Sequence, residues 1–329
     1  MSTPSADTLT SLVARAIRAQ SPHNTQAWRF VATEESVSVF TDWDRNLTVS
    51  DPDGREMVIG CGAAVEHLLL LAADSGFATH LEVTVDANDH RPRKLARILF
   101  GSGKPYGPHD DLVAAIEERH TNRTAYRPDP IDLGVLDVLE TMATGSGVGV
   151  RRIDDADERQ HTTNLIMAAD RDQMNDKAFR HELAAWMRRP HGGATDGMPT
   201  DLLGQHGIAA EIAPLAVRTF DVGKGQAARD GELVAGSPHL WLLHTDTDST
   251  DRWLATGRSL ARLTLAATHH GVAHAYMNQP CEVPRHRDAL AAATGVSHPQ
   301  LVIRMGYAEP TGTSPRRPVN DVLTFATED

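Results

Sequence analysis

GAAVEHLLLLAADSG at residues 62–76 and GRSLARLTLAATHHG at residues 257–271 can be laid over one another without a gap. Gly62 then falls on Gly257 and Gly76 on Gly271, with Val65 on Leu260, Leu68 on Leu263, Leu70 on Leu265 and Ala72 on Ala267. Both stretches read as long apolar helices that end in glycine and lead towards an extended segment. Such an internal match marks a duplicated unit, although two unrelated buried helices can also be superposed in this way.

Working outward, Leu9 to Ile17 has helical spacing and Pro22 is expected to stop that helix. Arg29 to Thr33 and Ser36 to Phe40 read as a hairpin, Met57 to Ser75 as the first of the matched helices, and Glu82 to Asp86 and Leu95 to Phe100 as strands. The Gly/Pro-rich run GSGKPYGP, 101–108, is the best boundary and divides the chain into 1–105 and 106–329. Beyond it come helices at Asp111 to Glu118 and Leu133 to Met142, a strand at Val148 to Ile153, and a helical pattern from His161 to Arg188. Residues 189–230, rich in Gly, Pro and Met, read as a long irregular excursion. A strand at His239 to His244, the second matched helix at Trp253 to His270 and a last strand at Leu301 to Tyr307 complete the chain.

Composition excludes several classes. A formal net charge of -12 argues against nucleic acid or an anionic membrane as partner. Lysine occurs only at Lys94, Lys104, Lys177 and Lys224, so arginine carries nearly all the positive charge. Two cysteines, Cys61 and Cys281, with no CxxC, fit a reducing cytosol. The start MSTPSADTLTS has no secretory pattern, and the apolar run near Leu68 to Ala73 is too short to span a bilayer, so a cytoplasmic protein is expected. His269, His270 and His274 invite a metal reading, but Gly271 breaks their shared face and no HExxH accompanies them; no metal is expected. No GxSxG elbow and no GxGxxG after the first strand is present.

Two polar strings can carry chemistry. SPHNTQAWRF, 21–30, sets two amides and a tryptophan at a chain reversal, where they suit a planar heterocycle or simply stop a helix over a core tryptophan. RHTNR, 119–123, places two arginines around a hydroxyl at a helix end. That set suits a phosphate monoester, whose charge is about -1.5 to -2 at neutral pH, and equally suits a solvated pair. Arg316 and Arg317, before Pro318, either reach the same phosphate or face water.

Together these strings resemble the nitroreductase family. SPHNTQAWRF resembles its Ser-x-x-Asn-x-Gln-Pro-Trp turn, with Ala27 in place of the Pro. RHTNR resembles its Arg-x-Ser/Thr-x-Arg motif, and RMGYAEPTGTSPRRPVNDVL its C-terminal strand and phosphate-binding Arg. More narrowly, DPDGREMVIGCGAA, DGMPTDLLG and MNQPCEVP are similar to the Acg-type nitroreductase-like proteins of actinobacteria. In the family the arginine motif precedes the Asn/Gln turn; here the order is reversed. Ordinary members are two-fold dimers that build each FMN site from both subunits, and a two-fold dimer must build both sites alike. The resemblance therefore implies an α+β nitroreductase fold in two fused copies, an intrachain pseudo-dimer and hence a monomer, which keeps one site and has lost the other.

By matched position, the resemblance implies that Arg119, Thr121, Arg123 and Arg316, with Arg317 beside it, hold the FMN phosphate. Ser21, Pro22, His23, Asn24 and Gln26 would approach the flavin from the other half. Pro280, Cys281 and Glu282 match the loop whose backbone N–H lies near flavin N5. Members often set a Lys or Arg beside flavin N1; the resemblance names no residue of this chain there, and Lys224 matches that place poorly. The implied activity is NAD(P)H-dependent reduction of a nitroaromatic, quinone or similar acceptor. The alternative is a non-catalytic FMN storage protein, with 189–230 as a lid over the flavin.

Overall fold

The computed structural model describes residues 3–85, 91–101, 106, 110–145, 147–190, 192–203, 207–219 and 223–326. The first half runs α1 (Ala6–Ala16), β1 (Trp28–Ala32), β2 (Ser36–Thr41), α2 (Arg55–Asp74), β3 (Thr79–Val83) and β4 (Lys94–Phe100). The second begins with α3 (Asp110–Glu118), α4 (Leu133–Ala143) and β5 (Val148–Arg152). An excursion follows: α5 (Ala156–Asn175), α6 (Lys177–Trp186), β6 (Met187–Arg188), β7 (Met198–Pro199), α7 (Ile208–Thr219) and α8 (Gly223–Ala235). The chain then returns through β8 (His239–Thr245), α9 (Thr250–His269), β9 (Ala273–Tyr276), α10 (Gln279–Glu282), α11 (Pro284–Thr294), β10 (His298–Gly306) and β11 (Leu323–Phe325).

The duplication is visible in the sheets. One is ordered β11-β1-β2-β4-β3 and the other β5-β8-β10-β9, so after removal of β11 each strand of one half has a counterpart at the same place in the other. Between the sheets α2 and α9 cross where the sequence match put Gly62 on Gly257. A Cβ on Gly62 would lie 2.2 Å from the Leu254 carbonyl oxygen, and one on Gly257 would lie 1.9 Å from that of Ile59. Only glycine lets two helix backbones approach so closely. Both helices also end alike: Gly76 and Gly271 take positive φ, and the following amides, Phe77 and Val272, donate to Ala72 and Ala267. α2 buries every residue from Arg55 to Ala72, as a helix apolar on all faces must; it is long and apolar enough to cross a membrane, but here it is the core.

Several boundaries differ from expectation. α1 ends at Ala16, well before Pro22, and the carbonyls of Ile17, Arg18 and Ala19 are bonded by the Arg316 guanidinium. β3 lies earlier than Glu82 to Asp86, and Asp86 is outside the described residues. The helical pattern of His161 to Arg188 starts sooner, on an Asp155 cap, and divides at Asp176, whose carboxylate accepts the Ala178 N–H and opens α6. The described part of 189–230 is more regular than expected, holding β7, α7 and the start of α8. Pro214 sits inside α7, where its missing N–H would orphan the Ala210 carbonyl; the Thr200 hydroxyl donates to it at 2.8 Å instead. The last strand is β11, not β10, and it pairs in parallel with β1 of the first half, so the tail of the second half completes the first sheet. Most of the 101–108 boundary lies outside the described residues.

Candidate functional site

At one side of the α2/α9 crossing the halves enclose a cavity of about 710 Å³. Its two ends have opposite chemistry.

The first end is rich in donors. The Ser21 to Gln26 turn reaches it from the first half in a strained form: His23, Asn24 and Gln26 all have positive φ, near 45° to 54°. The turn is held by its surroundings. Asn24 Nδ2 donates to the carbonyls of Gly197 (2.9 Å) and Pro315 (3.0 Å), Gln26 Nε2 donates to Thr195 O (2.9 Å), and Ser21 Oγ accepts the Gln26 N–H. Gly60 on α2 leaves room beneath, since a Cβ there would sit 3.3 Å from Ser21 Cβ. His23 lines the cavity as a neutral ring, its pKa pushed down to about 4 by burial and by Arg123.

From the second half, the loop after α3 brings Arg119, Thr121 and Arg123 to the same wall. Asn122 anchors it: its N–H donates to His274 O on β9 and its amide to Glu309 O. Arg119 is 4% exposed and spends one N–H on Arg18 O, while its Nε and Nη1 have no partner. Arg123 makes no hydrogen bond or ion pair among the described residues, and burial holds the pKa of both guanidiniums down. Tyr276, whose hydroxyl also lacks a partner, completes this end. Buried donors without acceptors are costly, so the cluster fits an anion with several acceptor oxygens, as a phosphate monoester has.

The other positions named from sequence fall differently. Arg316 lines the cavity, but its N–H groups go to Asn24 Oδ1 and to backbone carbonyls including Ile17, Arg18 and Ala19. It lends charge and cements the end of α1 rather than offering a free fork. Gln26 and Arg317 lie behind the wall and bond each other, the Arg317 N–H donating to Gln26 Oε1 at 2.8 Å. Pro280, Cys281 and Glu282 form the helical turn α10, not an open loop. Pro280 has no N–H, and those of Cys281 and Glu282 donate to Asn278 O. Cys281 is buried behind the wall, its thiol pushed up to about 12 by burial; Glu282 alone of the three lines the cavity. The side chain of Lys224 is outside the described residues. His269 and His270 meet edge to face while His274 is buried on β9, and no group of three metal-ligating side chains occurs among the described residues.

The second end is rich in acceptors, and of its carboxylates the sequence pointed to Glu282 alone. Asp170 of α5, Asp230 of α8 and Glu56 of α2 meet there with Glu282. Above both ends the excursion supplies an apolar roof from Phe179, Leu183, Met187, Met198, Ile212 and Val217. Its near edge is tied to the first half, for Asp196 pairs with both Arg45 and Arg188, and both guanidiniums lie over the Trp186 ring.

Two fused α+β units enclosing a donor-lined cavity beside the α2/α9 crossing define the class; relatives supply the family. No family model matches the chain. The Mycobacterium tuberculosis (strain H37Rv) protein named "Putative NAD(P)H nitroreductase Rv3131" is 30% identical over 332 residues, covering 99% of this chain and 93% of that protein. "Putative NAD(P)H nitroreductase acg" of the same strain is 30% identical over 333 residues, covering 98% and 97%. The chain belongs to this nitroreductase family. Among solved structures, a nitroreductase with bound FMN from Desulfitobacterium hafniense is 14% identical over 67% of this chain and 100% of its own, with a TM-score of 0.41. The FMN-dependent nitroreductase NfnB from Mycobacterium smegmatis in complex with NADPH is 19% identical over 66% and 98%, with a TM-score of 0.39.

Proposed function

We propose that the chain is a monomeric, cytoplasmic FMN-binding oxidoreductase of nitroreductase type, an intrachain pseudo-dimer of 1–105 and 106–329 with one flavin site. The observation that carries this is the meeting of the two motifs: the unpartnered N–H groups of Arg119 and the unpaired Arg123 come from one half, and the Ser21 to Asn24 turn from the other. Arg119, Thr121 and Arg123 would hold the phosphate, and Ser21, Pro22, His23 and Asn24 would face the rest of the cofactor. Bound FMN supplies hydride chemistry that no side chain can; the protein orients it and keeps water out. NAD(P)H would be the donor and a nitroaromatic, quinone or similar molecule the acceptor.

The roof over the cavity supports a second reading, in which 189–230 is a lid and the protein stores FMN without turning it over. Mixing FMN-loaded protein anaerobically with excess NADPH, then NADH, separates the two. Rapid bleaching of the yellow band is the expected result. A band that persists with both nucleotides, yet bleaches with dithionite, would put storage first. Limited proteolysis tests the lid: protection of 189–230 by FMN is expected, and equal cleavage with and without FMN would remove it. A light-scattering mass near twice 35.7 kDa would overturn the monomer.

A further inference from the structure

The acceptor-rich end of the cavity poses a charge problem that the flavin reading leaves open. Asp170 is 4% exposed and Asp230 6%. Asp230 is served by amides, accepting from Gln226 Nε2 at 3.0 Å and Gln279 Nε2 at 2.9 Å. Asp170 Oδ2 has no donor, and neither has Gln279 Oε1 on the same wall. Glu282 stands beside them, accepting from Gln173 Nε2 at 2.6 Å, and Glu56 behind it is paired with Arg55. The opposing charges at this end are Arg229 of α8, next to Asp230, and Arg304 of β10, whose Nη groups go to the Asn122 and Thr124 carbonyls and Ser237 Oγ while its Nε has no partner. On the far face of α5, Arg285 and His286 are engaged with Asp172 instead.

Two buried carboxyls in hydrogen-bonding contact, with the Gln279 amide as their common donor, still need a proton or a cation between them. Burial first, then Asp230, pushes Asp170 up to about 8, and burial raises Glu282 to about 7. At neutral pH the pair therefore holds a proton, and a cationic group could take that proton's place. The orphaned acceptors, Asp170 Oδ2 and Gln279 Oε1 beside Asp230, ask for several N–H donors on one centre, which a primary ammonium offers. Next to them, Met174, Phe179, Leu183 and Met187 suit an apolar or aromatic body.

We propose that this end is a subsite for a protonated primary amine carried on an apolar or aromatic body, anchored by Asp170 with Asp230 and Gln279. On the oxidoreductase reading, nitroaromatic or quinone acceptors that also carry such an ammonium group are preferred, the nitro or quinone group taking the electrons; the binding site itself does not depend on that reading.

The test compares 4-nitrobenzylammonium, 4-nitrobenzyl alcohol and 4-nitrobenzoate, which share one ring and differ in charge, by calorimetric titration into FMN-free and FMN-loaded protein at neutral pH. The ammonium compound should bind about tenfold tighter than the alcohol, the share of one charge-assisted bond, and the carboxylate weakest. Its apparent binding enthalpy should change between phosphate and Tris buffers, because the pair's proton is released. Asp170→Asn should erase the preference while leaving alcohol and FMN binding unchanged. Equal binding of the three probes, or a preference that survives in Asp170→Asn, overturns the subsite. The wild-type ranking needs no variant, so a misfolded substitution leaves the test intact. Protein that binds FMN but ranks the probes equally sinks the subsite alone; protein that takes no FMN but ranks them as expected sinks the flavin reading alone.

Discussion

The two sides of the α2/α9 crossing are built on one plan and hold opposite electrostatics. On the cavity side, His67 of α2 is buried and neutral, its pKa pushed down to about 3 by burial and by Arg119 and Arg316. The alignment of Gly62 with Gly257 carries His67 onto Arg262 on the other side. There Arg262 and Arg258 pair with the fully buried Glu66 at 3.0 and 2.8 Å, and Tyr106 donates its hydroxyl to the same carboxylate at 2.6 Å. One side keeps guanidiniums without partners; the other has neutralised them within the fold. Uncompensated buried charge is a cost to folding that a ligand can offset, whereas compensated charge contributes to the fold and leaves nothing to bind.

Substitutions should therefore act in opposite senses on the two sides. Glu66→Gln leaves two arginines facing one neutral amide and is expected to cost about 3–5 kcal/mol of stability, with FMN affinity unchanged; denaturant unfolding and a fluorescence titration measure the two. Loss of FMN affinity there would mean that the sides are coupled. Arg119→Ala should weaken FMN by about 1.5–3 kcal/mol, roughly 10- to 150-fold, while the FMN-free protein melts no lower than wild type. A lower melting temperature would show that Arg119 serves the fold. Arg316→Lys keeps the charge but loses the fork that closes α1, so about 1 kcal/mol of stability should go, with a smaller effect on FMN than Arg119→Ala. The smallest effect is in the acid limb. Burial alone would raise Glu66, but Arg258, Arg262 and the Tyr106 hydroxyl outweigh it and hold the pKa below the ordinary 4.5. A depressed carboxylate stabilises above its unfolded pKa and loses that contribution as pH falls through the folded one. Glu66→Gln should thus flatten the loss of stability below pH 4.5; an unaltered acid limb would count against the ionic cluster.

What the sequence disclosed was what it encodes locally. The glycine-to-glycine match disclosed the repeated helix, and the reversed order of the two motifs led to the expectation that they meet from different halves. Contacts made only at long range stayed hidden. Pro214 argued against a helix until Thr200, from another segment, supplied the donor for Ala210. β11 is short and paired only through β1. Asp170 lies in ADERQHTTNLIMAADRDQMN, a polar stretch in which an aspartate reads as solvent-facing, and the packing of α5 against α8 and α10 buries it. Asn122 sat inside a quoted motif, yet its role rests on His274 and Glu309, far along the chain.

The Glu66 cluster also bears on how such a chain can evolve. In a homodimer every substitution is made twice, so a glutamate that closes one site would enter the other as well. Here the counterpart of Glu66 is Ala261, beside Leu260 on the cavity wall. In a fused chain equivalent positions can be substituted independently, which leaves one copy free to drift towards structure while the other keeps its cavity.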